Sequence, residues 1–86
     1  MIYTVITSKS AEDVIKKWKK SNPYQKIYHE LMDHPRTGIG HPETLVGGNS
    51  ILYSRHITAH DRIIYEIHDE IITVLVLDVE GHYTDK

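Results

Sequence analysis

Arg62-Ile63-Ile64-Tyr65-Glu66-Ile67-His68-Asp69-Glu70-Ile71-Ile72-Thr73-Val74-Leu75-Val76-Leu77-Asp78-Val79 is the stretch on which the fold turns. Its first part is β-branched and aromatic with a period of two. Ile63, Tyr65 and Ile67 therefore look one way, and Arg62, Ile64 and Glu66 the other. Asp69-Glu70 predicts a tight turn, a weaker hairpin signal than Asn-Gly. The second part, from Ile71 to Val79, opens with an almost unbroken apolar run, which predicts a central strand buried on both faces.

Working outward, Ile51–Thr58 predicts a third strand and Ile2–Thr7 a fourth, both uncharged or nearly so in their apolar cores. Between them lie two helical patterns. Ser8 or Ser10 offers an N-cap, and Ser10-Ala11-Glu12-Asp13 reads as a capping-box variant. Ala11, Val14, Ile15 and Trp18 share one face of that helix, and Lys16, Lys17, Lys19 and Lys20 the other. Asn22 caps a second helix over about Pro23–Asp33, with Tyr24, Ile27, Tyr28 and Leu31 at helical spacing; Pro35 stops it. Residues 35–50 hold four of the five glycines and two of the three prolines, which predicts a long loop of the kind usually kept for function. The resulting order, β-α-α-β-β-β, implies an α+β domain: a mostly antiparallel sheet with two helices on one face and the other face open.

Eighty-six residues make one domain, 1–86, with a thin stability margin. The absence of cysteine excludes disulfides, a thiolate nucleophile and a thiolate zinc site. There is no charged-then-apolar leader and no apolar run near the ~20 residues of a membrane span, so the expectation is a soluble cytoplasmic protein. The formal net charge is -2, yet seven of the ten Lys and Arg residues fall in 1–43. Overall charge does not mark a nucleic-acid binder; only the Lys16–Lys20 cluster does, and such a run is more often a solvated helix face.

Cleaving RNA without a metal needs a base for the ribose 2′-OH, cations for the phosphate, and an acid for the departing 5′ oxygen. Glu43 follows Pro42 in the loop, where the stiff backbone can aim a carboxylate. Arg62 opens its strand. Arg55 sits mid-strand between Tyr53 and Ile57 on the same side, so it either pairs with an acid or faces the open side. His82 and Tyr83 follow Gly81 near the C-terminus. Taken singly, each has an ordinary reading: a solvated acid, an edge-strand arginine, a terminal tail.

Together they form a pattern. Gly38-Ile39-Gly40-His41-Pro42-Glu43-Thr44-Leu45, then Ser54-Arg55-His56-Ile57-Thr58, then Arg62-Ile63-Ile64-Tyr65, then His82-Tyr83 resemble the YoeB/Txe branch of the RelE-type toxins, small ribosome-dependent ribonucleases of bacterial toxin-antitoxin systems. The resemblance covers roughly the C-terminal half of the chain. It implies a RelE-like fold and metal-independent mRNA cleavage with no cofactor. Glu43 would be the general base, Arg62 the phosphate anchor, His82 the general acid and Tyr83 its neighbour. Arg55 and His56 would lie on the RNA path; Lys16, Lys17, Lys19 and Lys20 are further candidate RNA contacts on their charge alone, apart from the resemblance. The implied partners are the 70S ribosome with its mRNA and a YefM/Axe-type antitoxin, with operator DNA met only as part of the toxin-antitoxin complex. A homodimer also fits.

The chain departs from the family where Arg55-His56 replaces two arginines, where His60-Asp61 precedes Arg62, and where Val79-Glu80-Gly81 leads into His82. Glu80 near a phosphate is repulsive. Two other readings stay open. One is a metal site from His34, His41 and Glu43, or from His56, His60 and Asp61, although neither set has a recognised ligand spacing. The other is a non-catalytic RelE-like module that pairs with an antitoxin or contacts nucleic acid.

Overall fold

A computed structural model describes residues 2–45 and 52–81. The elements are β1 (Thr4–Thr7), α1 (Lys9–Lys16), α2 (Asn22–Asp33), β2 (Glu43–Thr44), β3 (Leu52–His56), β4 (Asp61–His68) and β5 (Thr73–Gly81). The five strands form one sheet in the order β1-β5-β4-β3-β2. Only β1 and β5 run parallel; the other pairs are antiparallel. This is the expected α+β architecture with one addition: the stretch expected to be an irregular loop contains the two-residue strand β2.

Both helices cover the same face of the sheet. Ala11 and Ile15 of α1 and Tyr24, Ile27 and Leu31 of α2 pack on Ile63, Tyr65 and Ile67 of β4 and on Val74, Val76 and Val79 of β5. Ser8 caps α1 by accepting the Ala11 N–H at 3.3 Å, so the Ser10 capping-box reading gives way to its alternative. Ser21 rather than Asn22 caps α2, accepting the Tyr24 N–H at 3.3 Å, and Asn22-Pro23 form its first turn. In each case the serine lies one helical turn before the first buried apolar residue.

Strand β5 is central, between β1 and β4, but from Thr73 to Glu80 only Val74, Val76 and Val79 are buried. The expectation of burial on both faces fails because helices cover one side only. A second difference has larger consequences. The register runs Ile63↔Val79 and Ile64↔Asp78, then Tyr65↔Val76, so Leu77 is an extra residue, a β-bulge. A regular strand would put Val79 on the face opposite Val76. The bulge returns Val79 to the core and sends Asp78 and Glu80 to the uncovered face.

The β4–β5 reversal is a 3-10 turn over Asp69–Ile71, closed by Ile72 in the left-handed region (φ 51°), rather than the two-residue turn expected. Asp69 ties this turn to distant parts of the chain. It accepts from the Tyr3 hydroxyl at 2.6 Å and pairs with Arg36 at 2.6 Å. The bond from Arg36, then that from Tyr3, holds its carboxyl below the usual range. No helix among the described residues is long and apolar enough to cross a membrane.

Candidate active site on the uncovered sheet face

Cross-strand pairing decides which side chains meet on the uncovered face. Residues directly opposite one another in an antiparallel ladder point to the same side. Glu43 of β2 pairs with Ser54 of β3, and Ser54 with Ile64 of β4. One step along, His56 pairs with Arg62, and Arg62 with Glu80 of β5. Ile64 and Arg62 lie opposite the core set Ile63, Tyr65 and Ile67. Glu43, His56, Arg62 and Glu80 therefore share the face that no helix covers. Ser54 and Ile64, 3% and 8% exposed, form the nearly dry centre between them. From the strand spacing and the rise per residue, the Glu43 and Arg62 Cα atoms are about 12 Å apart.

The turn between β3 and β4 fixes the end of this site. Thr58 Oγ1 donates to Asp61 at 2.7 Å and accepts the His60 and Asp61 N–H groups, both at 3.1 Å. The Ile57 N–H closes the turn on the Asp61 carbonyl at 2.7 Å. Arg62 follows directly. Its guanidinium meets the Glu80 carboxylate at 3.4 Å, with both side chains substantially exposed. This contact exists because of the Leu77 bulge.

Arg55 is not part of the exposed set. It is fully buried, and the expectation that it lines an RNA path is corrected: Tyr53 and Arg55 face the helices, whereas His56 faces outward. Burial is possible because every donor is used. Nε donates to the Tyr65 hydroxyl at 3.0 Å. Nη1 donates to Glu30 at 2.8 Å and to the Ile39 carbonyl at 3.4 Å. Nη2 donates to the carbonyls of His34 and of Thr37, the latter at 2.8 Å. Tyr65 in turn donates to the Pro35 carbonyl at 2.8 Å. Burial raises its hydroxyl pKa, and the Arg55 hydrogen bond opposes the rise.

The Gly38-Ile39-Gly40 motif now has a physical reason. The loop lies directly on the Arg55–Glu30 pair. A Cβ at Gly38 would sit 1.9 Å from Glu30 Oε1, and one at Gly40 would sit 2.5 Å from the His56 carbonyl oxygen. Both glycines also have positive φ, +123° and +84°. Glu30, which sequence reasoning did not single out, is thus essential to the loop. The sequence carries no signal for it, since Lys26 four residues earlier on the same helix makes Glu30 read as an ordinary surface acid.

The remaining expected residues are distributed as follows. Lys16 ends α1, and Lys17, Lys19 and Lys20 lie in the turn after it, beyond the helix on which the sequence placed them; all four are exposed, on the opposite side of the sheet from Glu43 and Arg62. Lys16 lies 3.9 Å from Asp13. His82 and Tyr83 lie outside the described residues. Among the described residues no three His, Asp or Glu side chains gather in an arrangement that could hold a metal, so neither the His34–His41–Glu43 nor the His56–His60–Asp61 set comes together.

A five-stranded sheet of this order, carrying two helices on one side, is the RelE-like α+β fold. A family model described as the YoeB-like toxin of bacterial type II toxin-antitoxin systems matches residues 7–83, and the chain belongs to that family. Among solved structures, a YoeB/ParE toxin from Agrobacterium tumefaciens is 24% identical, with a TM-score of 0.77 over 93% of this chain and 99% of that one. A YoeB dimer from Staphylococcus aureus is 20% identical, with a TM-score of 0.75 over 96% and 100%. The RelE of an archaeal RelE-RelB complex from Pyrococcus horikoshii is 18% identical, with a TM-score of 0.76 over 98% and 99%. No curated protein sequence matches.

Proposed function

We propose that this chain is a ribosome-dependent mRNA endoribonuclease, the toxin of its toxin-antitoxin pair. The observation that carries this reading is the shared face of Glu43 and Arg62: the register sets a carboxylate and a guanidinium on the same uncovered side of the sheet, two strands apart. In the proposed reaction Glu43 takes the proton of a ribose 2′-OH, and O2′ attacks the adjacent phosphorus. Arg62 holds the charge that builds on the phosphoryl oxygens. The bond from phosphorus to O5′ breaks, and His82 protonates O5′, with Tyr83 beside it. The products are a 2′,3′-cyclic phosphate and a free 5′-hydroxyl. His56, opposite Arg62, faces the RNA in the position where the family carries a second arginine. So sparse a kit needs the ribosome to align O2′ with the scissile bond, so that proximity supplies much of the acceleration.

The partner fits the same reading. A solved relative, the YoeB-YefM complex from Staphylococcus aureus, is a toxin bound to its antitoxin. A YefM-type antitoxin is the proposed inhibitor of this chain, and the YoeB dimer from the same organism makes a homodimer the proposed form without it.

Primer extension on programmed ribosomes tests the activity. Wild type should cut mRNA in the A site and leave free RNA largely intact. Glu43→Ala should lower the cutting rate by roughly 10²–10⁴-fold, the usual contribution of a positioned general base. Equal cutting of free and ribosome-bound RNA would refute ribosome dependence. One observation favours the non-catalytic alternative: Glu80 offsets the charge of the proposed phosphate anchor. Expression of wild type without growth arrest would decide for that module.

A further inference from the structure

We infer that Arg55 is a positioning residue: with Glu30 and Tyr65 it forms a latch that holds residues 34–40 and so sets where Glu43 stands on the uncovered face. The consequence for catalysis rests on the nuclease reading; the latch itself does not.

Strand β2 has two residues, both exposed, and lies at the edge of the sheet. So short a pairing cannot by itself offset the entropy of ordering the segment that leads to it. That segment, 34–40, has no regular secondary structure, yet its backbone is fastened at every turn. The carbonyls of His34, Thr37 and Ile39 accept from Arg55, and that of Pro35 accepts from Tyr65. The Ile39 N–H donates to Glu30 Oε1 at 3.0 Å, the same oxygen that meets Arg55. Gly40 then passes the chain to β3, its carbonyl accepting the His56 N–H at 2.6 Å, and Glu43 follows three residues later, stiffened by Pro42. The anchors come from α2, β3 and β4, so the loop is referenced to three rigid elements at once. Arginine is required. A lysine has three donors on a point charge and cannot span a carboxylate, a phenol and three carbonyls.

Arg55→Lys and Glu30→Gln test this by hydrogen exchange and by kinetics on programmed ribosomes. In Arg55→Lys the Ile39 and Leu45 amides should exchange roughly tenfold faster or more, a clearly larger factor than any change in the β4 and β5 amides. The value of kcat should fall by roughly 10²-fold with KM unchanged, since substrate still binds but the base is displaced. Glu30→Gln, which keeps an acceptor oxygen, should fall between wild type and Arg55→Lys on both measures. Should Arg55→Lys fail to fold, Glu30→Gln carries the test alone. Unchanged exchange at Ile39 and Leu45 would overturn the latch. So would equal loss of protection across β4 and β5, the mark of general destabilisation, or a rise in KM at constant kcat. If wild type cuts no RNA, the nuclease reading falls and the exchange measurements alone decide the latch.

Discussion

Two arginines on neighbouring strands illustrate how differently one side chain can be used. Arg62 is exposed and its partner Glu80 stands at 3.4 Å in water, so Arg62→Ala should cost less than about 1 kcal/mol of stability. Arg55 is buried and paired with Glu30, and removing it strands a carboxylate and three carbonyls. Arg55→Ala should cost about 3–5 kcal/mol, a large share of the total for a domain this small. Urea denaturation of the two variants side by side measures the contrast, and a similar loss in both would contradict it. On the nuclease reading Arg62→Ala loses cutting while remaining folded. The same contact predicts a gain: Glu80→Gln frees Arg62 for phosphate and should raise kcat/KM on programmed ribosomes. Because the pair is exposed, roughly two- to fivefold is the expected size, in line with the worth of a solvated ion pair. A fall in kcat/KM would instead give Glu80 a supporting part.

Among the elements, the loop before β2 and the bulge in β5 shape the site most. Gly38 and Gly40 hold the loop against Glu30 and His56 with no room for a methyl group. Gly38→Ala and Gly40→Ala should each lower stability by roughly 1–3 kcal/mol, combining positive φ with steric contact. Gly40→Ala is the harsher of the two. Its Cβ meets the rigid His56 carbonyl, whereas the Cβ of Gly38 meets the tip of a side chain that can swing away. Thermal unfolding of both variants checks the order, and Gly40→Ala melting at or above Gly38→Ala would reverse this account. The Leu77 bulge acts on the opposite edge of the site. It keeps Val79 in the core and turns Glu80 toward Arg62, converting what reads as a plain apolar strand into one that contributes a charge to the working face.

The molecule as a whole is a single helical layer on a single sheet, and its buried tyrosines set its alkaline limit. Burial raises the pKa of Tyr65, and burial followed by the neighbouring Tyr28 raises that of Tyr24, both above the ordinary 10.0. A group whose pKa is higher folded than unfolded contributes stability that is complete below the unfolded value and lost as pH rises through the folded one. The denaturation midpoint should therefore hold level up to about pH 10 and decline above it. Following tyrosinate absorbance alongside unfolding checks this, and Tyr65→Phe should flatten part of the decline. A midpoint that rose above pH 10 would have the opposite sign. The layering also separates two charged regions. The lysines at and after the end of α1 lie on the opposite side of the sheet from Glu43 and Arg62, so on the nuclease reading one short RNA segment does not reach both.

Periodicity alone carried the two helices, four of the five strands, their order along the chain and the α+β class, because a period of two or of 3.6 is a local property written in neighbouring side chains. The motif from Gly38 to Leu45 marked the region of the candidate site in the same local way. What the chain could not disclose in one dimension was parity and partnership. Arg55 and His56 are adjacent, and either could face the uncovered side until the β3–β4 register and Glu30, twenty-five residues earlier, assigned one inward and the other outward. Val74, Leu75, Val76 and Leu77 are equally apolar, so no residue announced the bulge that carries Glu80 to Arg62. Those assignments belong to the tertiary structure, since a buried guanidinium is tolerable only when remote acceptors converge on it, and a strand's facing is settled by its neighbours rather than by its own composition.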